Sequence, residues 1–198
     1  MIMKNIVIGL TGTIASGKNT VAKIFRKKGA FVIDADKVGH RVIMPQAKAW
    51  HEIIKAFGSK VLNRGGVVNR RKLAAKVFST PDALKKLNRI THPEMRKIIT
   101  SEIKLAKLSK IKYVVVNAAL LEEMKLLSSV DRVIAVLSDK KNRIKRMLRT
   151  GLSRKEALAR IKSQRSDKSY RKTADVVIDN NRTMDDLKKK VIKAISKL

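Results

Sequence analysis

An apolar run, Ile6-Val-Ile-Gly-Leu10, leads directly into Gly12-Thr-Ile-Ala-Ser-Gly17-Lys18-Asn19-Thr20. A buried strand, a loop bounded by glycines, a lysine and a helix start, in that order, leave few folds open. Such a loop wraps backbone N–H groups around an anion, the helix N-terminus adds its dipole, and Lys18 sets a cation on the terminal groups of a polyphosphate. The residues Gly12, Thr13, Ile14, Ala15, Ser16, Gly17 and Lys18 therefore read as a nucleoside triphosphate cradle. The usual pattern, G-x4-G-K-[ST], places a hydroxyl after the lysine for Mg2+. Here Asn19 stands in that position and the hydroxyl follows at Thr20. These two are the candidate metal contacts, because Mg2+ takes oxygen ligands, and an amide carbonyl offers one directly or through water.

Further strands are predicted at Phe31–Ile33, Tyr113–Val116, Arg132–Leu137 and Val176–Ile178. They are short, rich in Val and Ile and mostly non-alternating, as in a parallel sheet covered on both faces. Helical periods fall between them, so the fold class is α/β, a doubly wound parallel five-stranded sheet. The stretch between the second and third strands is longer than one covering helix requires. It reads as helices near 36–45, 47–57, 69–77, 81–89 and 93–108, with Pro81 and Pro93 near helix starts. We expect a core of 1–36, 111–138 and 174–198, a helical acceptor-binding insertion at about 37–110 and a basic helical lid at about 139–172. Within the lid, Ser153 followed by Glu156 is a capping-box signature.

Composition narrows the function. The chain has 198 residues, 44% hydrophobic, which is enough for one such domain. It lacks cysteine and has three histidines, His40, His51 and His92, which argues against disulfides, thiolate metal sites and a zinc cluster. No apolar stretch approaches the ~20 residues that cross a bilayer, and the N-terminus does not resemble a secretory leader. A soluble cytoplasmic protein with no membrane partner is expected. The net charge of +31 is extreme. It fits nucleic-acid binding, the handling of polyanionic small molecules, or a lysine bias spread over a solvated surface. Residues 139–172 hold fourteen Lys/Arg and three Asp/Glu, net +11 in 34 residues. That is about threefold denser than the rest of the chain. Aromatic residues at 4% make a base-stacking surface a poor fit.

Other residues are candidates for chemistry. Asp34 and Asp36 follow the second strand, at the ligand edge of such a sheet. One of them suits proton acceptance from an attacking hydroxyl, and Asp36 equally suits a helix cap. Arg143, Arg146 and Arg149 recur every three residues on one predicted helix and read as a stripe on one face, and Arg160 and Gln164 are placed on the next helix at i, i+4. A guanidinium that closes over a triphosphate neutralises the charge of phosphoryl transfer, while a solvated basic face is the plainer alternative. His92-Pro93 with Arg96 reads as a cap, a packed histidine or a ligand contact. Asn69-Arg70-Arg71 reads as a helix start or a phosphate contact.

Together these segments resemble the dephospho-CoA kinase family over nearly the whole length. Gly9-Leu-Thr-Gly-Thr-Ile-Ala-Ser-Gly-Lys18 is similar to its phosphate loop, and Val32-Ile-Asp-Ala-Asp36 with His40 to its acidic motif. Phe57-Gly58, Asn69-Arg70, Leu73-Ala74, Val77-Phe78 and Ile90-Thr-His-Pro93 with Arg96 resemble its helical CoA domain. Ala119-Leu-Leu-Glu122, Arg160-Ile-Lys-Ser-Gln164 and Ala174-Asp-Val-Val-Ile-Asp-Asn180 complete the likeness. The resemblance implies ATP- and Mg2+-dependent phosphorylation of the ribose 3′-hydroxyl of dephospho-CoA. It implies Asp36, Lys18 and Arg146 as catalytic residues. The loop from Gly12 to Thr20, with Arg149 and Asn180, would hold ATP, and Asp34, His40, Arg70, His92 and Arg96 the acceptor. A monomer or weak homo-oligomer with no specific nucleic-acid partner is expected. Another small-molecule P-loop kinase, of nucleoside monophosphate type, and a basic nucleic-acid-binding P-loop protein are the competing readings.

Overall fold

A computed structural model describes residues 5–77 and 80–198; Phe78, quoted above with Val77, lies outside them. The chain divides into two compact units, one of residues 5–33 with Ile103–Leu198 and the other of Asp34–Glu102. The first half of the chain forms β1 (Ile6–Gly12), α1 (Lys18–Lys27), β2 (Phe31–Asp34), α2 (Ala35–Val42), α3 (Lys48–Phe57), α4 (Arg70–Val77) and α5 (Pro81–Lys107). The second half forms β3 (Tyr113–Asn117), β4 (Arg132–Leu137), α6 (Lys140–Leu148), α7 (Arg154–Lys162), α8 (Asp167–Thr173), β5 (Val176–Asp179) and α9 (Met184–Ile195).

In the first unit the strands lie in the order β2-β3-β1-β4-β5. β1 is parallel to both β3 and β4, and β4 is parallel to β5. The central position of β1 explains its apolar composition, since a strand covered on both faces has no solvated side. β4 shows how the two faces are filled. Its Ile134 and Val136 join Ile8, Leu10, Phe25 of α1, and Leu187 and Val191 of α9 in one core. The alternate residues Ala135 and Leu137 pack with Tyr170 of α8 instead. Period-two alternation thus feeds two cores, and the sheet is doubly wound as expected. On α9 Leu187 and Val191 are buried, whereas Met184, which opens the helix, stays half exposed.

Two aspartates set the register at the start of the sheet. Val7 N–H donates to Asp131 Oδ2 at 2.8 Å, and Val133 N–H donates to Asp175 Oδ2 at 2.7 Å. Each precedes its strand by one residue and occupies a backbone donor that would otherwise lack a partner. The Ser153–Glu156 capping box forms as predicted.

In the second unit Ile53, Phe57, Val61, Val68, Leu73 and Val77 make a separate core, with Trp50 against it. Trp50 Nε1 donates to Gly66 O at 2.9 Å, which closes the turn at Gly65-Gly66. One expectation fails here. The two helices predicted at 81–89 and 93–108 are one helix, α5, with Pro93 inside it. Proline removes one N–H and crowds the preceding turn, a local cost of about 3 kcal/mol. The apolar residues on both sides keep one helix continuous, and Ile99 is fully buried.

Candidate functional site

The phosphate loop leaves β1 through backbone that only glycine adopts easily. Gly12 has φ 144° and lies against β4, where an added Cβ would come within 2.0 Å of Val136 O. Gly17 has φ 98°, and a Cβ there would lie 2.3 Å from Asn180 Nδ2. Between them Ala15 is also left-handed, at φ 58°. Gly17 is the N-cap of α1 and provides no side-chain cap. The opening turn of a helix carries N–H groups that no helical carbonyl reaches, so this turn is suited to an anion. Two hydroxyl oxygens support that assignment. Ser16 Oγ and Thr13 Oγ1 are buried and have no hydrogen-bond partner. A buried hydroxyl without a partner is costly, and phosphate oxygens would satisfy both. The loop residues therefore fit a polyphosphate. Among the described residues no group of three or more His, Cys, Asp or Glu is placed to hold a metal.

Three side chains from the last third of the chain brace the loop. Gln164 Oε1 accepts from Ile14 N–H at 2.7 Å. Asn180 is buried, and its Nδ2 donates to Ser16 O at 2.7 Å. Arg146 Nη1 donates to Ala15 O at 2.9 Å and Ser16 O at 3.0 Å, and its Nη2 donates to Asn180 O at 2.8 Å. Burial pushes the Arg146 guanidinium below its ordinary pKa. The three predicted arginines therefore diverge. Arg146 reaches the loop through its carbonyls, Arg143 is buried 3.4 Å from Asp167, and Arg149 is exposed. Successive i+3 steps each rotate by about 300° around a helix, which spreads such a stripe.

At the other end of the loop Lys18 Nζ donates to Asn117 Oδ1 at 2.6 Å. Asn117 Nδ2 donates in turn to Asn19 Oδ1 at 3.0 Å. Asn117 ends β3, beside Leu10 of β1.

The second unit holds a cavity of about 270 Å³. Asp36, His40 and Arg70 line it with apolar side chains that include Leu73, Leu87 and Met95. The predicted base Asp36 and two predicted acceptor residues, His40 and Arg70, thus line one cavity, a mostly apolar pocket with a few polar groups. Asp34, His92 and Arg96 are not among its lining residues. Asp34 is the cap of α2, its Oδ1 accepting from Asp36 N–H at 3.0 Å, so Asp36 is not the capping residue.

Residues 6–186 match the family profile of dephospho-CoA kinase. The chain belongs to the dephospho-CoA kinase family. Dephospho-CoA kinase from Carboxydothermus hydrogenoformans is 39% identical over 192 residues, covering 96% of this chain and 93% of the relative. A crystal structure from Thermus thermophilus has a TM-score of 0.82 at 34% identity, covering 98% of this chain and 97% of that one. Dephospho-CoA kinase from Campylobacter jejuni has a TM-score of 0.72 at 28% identity, covering 96% of each chain. Family membership makes the chain a kinase that uses ATP, on a P-loop kinase fold. Among the described residues no helix is long and apolar enough to cross a membrane.

Sequence reasoning toward the family's residues missed the role of Asn117. Its one signal is a polar residue at the carboxyl end of the apolar run Val114–Val116. Gln164 was placed on a helix with Arg160, but it lies beyond the end of α7 and reaches Ile14 instead.

Proposed function

We propose that this chain transfers the terminal phosphoryl group of ATP to the ribose 3′-hydroxyl of dephospho-CoA, giving CoA and ADP. The observation that carries this reading is the loop with two partnerless buried hydroxyls, Thr13 and Ser16, beside Lys18, in a chain of this family. ATP with Mg2+ supplies the activated phosphoryl group and part of the charge neutralisation.

The chain's own residues contribute positioning and charge. The loop from Gly12 to Lys18 binds the phosphates through N–H groups, hydroxyls and the Lys18 ammonium. Asn19 and Thr20 offer oxygens toward the metal. Arg146 and Asn180 keep the loop carbonyls turned away from the anion by hydrogen-bonding them, so Arg146 acts through the loop. Arg149, exposed on the same basic segment, is the cation available for a phosphate when residues 139–172 close as a lid. The helical insertion holds the acceptor. Its cavity takes the apolar parts of dephospho-CoA, with His40 and Arg70 at polar groups and Asp34, His92 and Arg96 in supporting positions. Asp36 accepts the proton of the attacking hydroxyl. We place the enzyme in the cytoplasm, as a monomer or weak homo-oligomer.

The test is incubation with MgATP and dephospho-CoA followed by mass analysis. One added phosphate on the ribose, with ADP released in equal amount, is expected. ADP release that does not depend on the acceptor, or phosphorylation of a nucleoside monophosphate in preference to dephospho-CoA, would overturn the assignment.

A further inference from the structure

Asn117 is buried at 2% exposure, and one carboxamide serves two residues of the phosphate loop. Its Oδ1 accepts from Lys18 Nζ and its Nδ2 donates to Asn19 Oδ1. Few side chains perform both tasks. A carboxylate of the same shape has no donor, and a hydroxyl is too short to span two partners. A neutral acceptor also aims the lysine ammonium without cancelling its charge, whereas a carboxylate would hold it in an ion pair. The partner at 19 is equally constrained. Nδ2 requires an oxygen acceptor, and the amide of Asn19 extends one bond further than a serine hydroxyl.

We infer that Asn117 is a positioning residue for the phosphate loop, and that Asn19 and Asn117 form a matched pair in which each fixes the orientation of the other's amide. The unusual residue after the lysine then has a structural reason. It is one half of a two-residue arrangement whose other half stands about a hundred positions away. The link to nucleotide binding rests on the phosphoryl-transfer reading; the pairing itself does not.

The experiment is a double-mutant cycle of wild type, Asn117→Asp, Asn19→Ser and the double variant. Asn117→Asp keeps the size and shape of the side chain but opposes two oxygens at the Asn19 contact. Melting without ligand reads the pairing. Asn117→Asp is expected to lower Tm by about 4 °C in the wild-type background and by less than half of that when Asn19→Ser withdraws the opposing oxygen. Calorimetric titration with ATP in the absence of metal reads the aim of Lys18, and Asn117→Asp is expected to weaken binding about tenfold. A merely structural asparagine would leave that affinity in place once the protein is folded. Equal Tm losses in both backgrounds would overturn the pairing, and wild-type ATP affinity in a folded Asn117→Asp would overturn the positioning role. If the cycle shows coupling while the wild-type chain fails to phosphorylate dephospho-CoA, the pair stands and the kinase reading falls. An active wild type without coupling has the opposite meaning.

Discussion

Replacing Arg146 tests whether this arginine works as a forked brace or as a positive charge. Its Nη1 contacts two loop carbonyls at 2.9 and 3.0 Å, and its Nη2 reaches Asn180 O at 2.8 Å. A hydrogen bond from a charged donor contributes about 1.5–3 kcal/mol when its loss leaves a buried acceptor without a partner. The contacts are not additive, because Asn180 Nδ2 also holds Ser16 O and water reaches this half-buried site. A loss near that of one such bond, about 2–3 kcal/mol, is therefore expected for Arg146→Ala. For a chain of this size each kcal/mol moves Tm by about 2–4 °C, so the fall is about 5–10 °C. Arg146→Lys separates the two roles. It keeps the charge, but one ammonium cannot span carbonyls that two nitrogens of a planar group now reach. Scanning calorimetry should place the lysine variant near the alanine variant, and titration with ATP should show at least about tenfold weaker binding for both. A lysine variant that melts and binds ATP like wild type would refute the brace and leave charge as the property that matters.

Other outcomes follow from the same geometry. Lys18→Ala and Asp36→Asn should each lower turnover at least about 100-fold, measured by coupled ADP release with dephospho-CoA as acceptor. Near-normal turnover in Asp36→Asn would remove it as the base. Gly17→Ala combines a φ of 98° with a Cβ 2.3 Å from Asn180 Nδ2, so it should break the Asn180–Ser16 bond and raise the KM for ATP about tenfold. Tyr170 gives a pH dependence. Burial first, and Glu123 second, raise its hydroxyl above the usual value of 10.0. The folded state therefore retains the proton after the unfolded state has released it. The resulting stability is complete below about pH 10 and is lost as pH climbs through the folded-state pKa. The fall in Tm between about pH 8 and pH 11 should be shallower in Tyr170→Phe than in wild type, and equal slopes would show that Tyr170 does not titrate with unfolding.

The sheet was legible because burial on both faces leaves a plain trace, short runs of Val and Ile without alternation. The phosphate loop was legible because its two glycines answer a backbone requirement that few residues meet. Long-range polar contacts left a fainter mark. Asn117 is a single amide in a strand, and nothing in its spacing points to Lys18, about a hundred residues earlier. Gln164 appeared helical beside Arg160 because helix ends are set by local hydrogen bonding that spacing does not encode. Pro93 misled for a related reason. A proline usually opens a helix, but apolar residues packed on both sides outweighed its local cost. The base candidate Asp36 and the acceptor candidates His40 and Arg70 were named from motif order, and that they line one cavity appears only after α2, α4 and α5 pack.

The braces of the phosphate loop come from positions 146, 164 and 180, far downstream of the residues they steady. During synthesis the glycine-bounded segment leaves the ribosome well ahead of its braces, and it gains its last support only when Asn180 has emerged. A nascent or truncated polypeptide that stops short of Asn180 thus carries the nucleotide motif without a rigid grip, and the capacity to hold ATP comes only with those downstream braces.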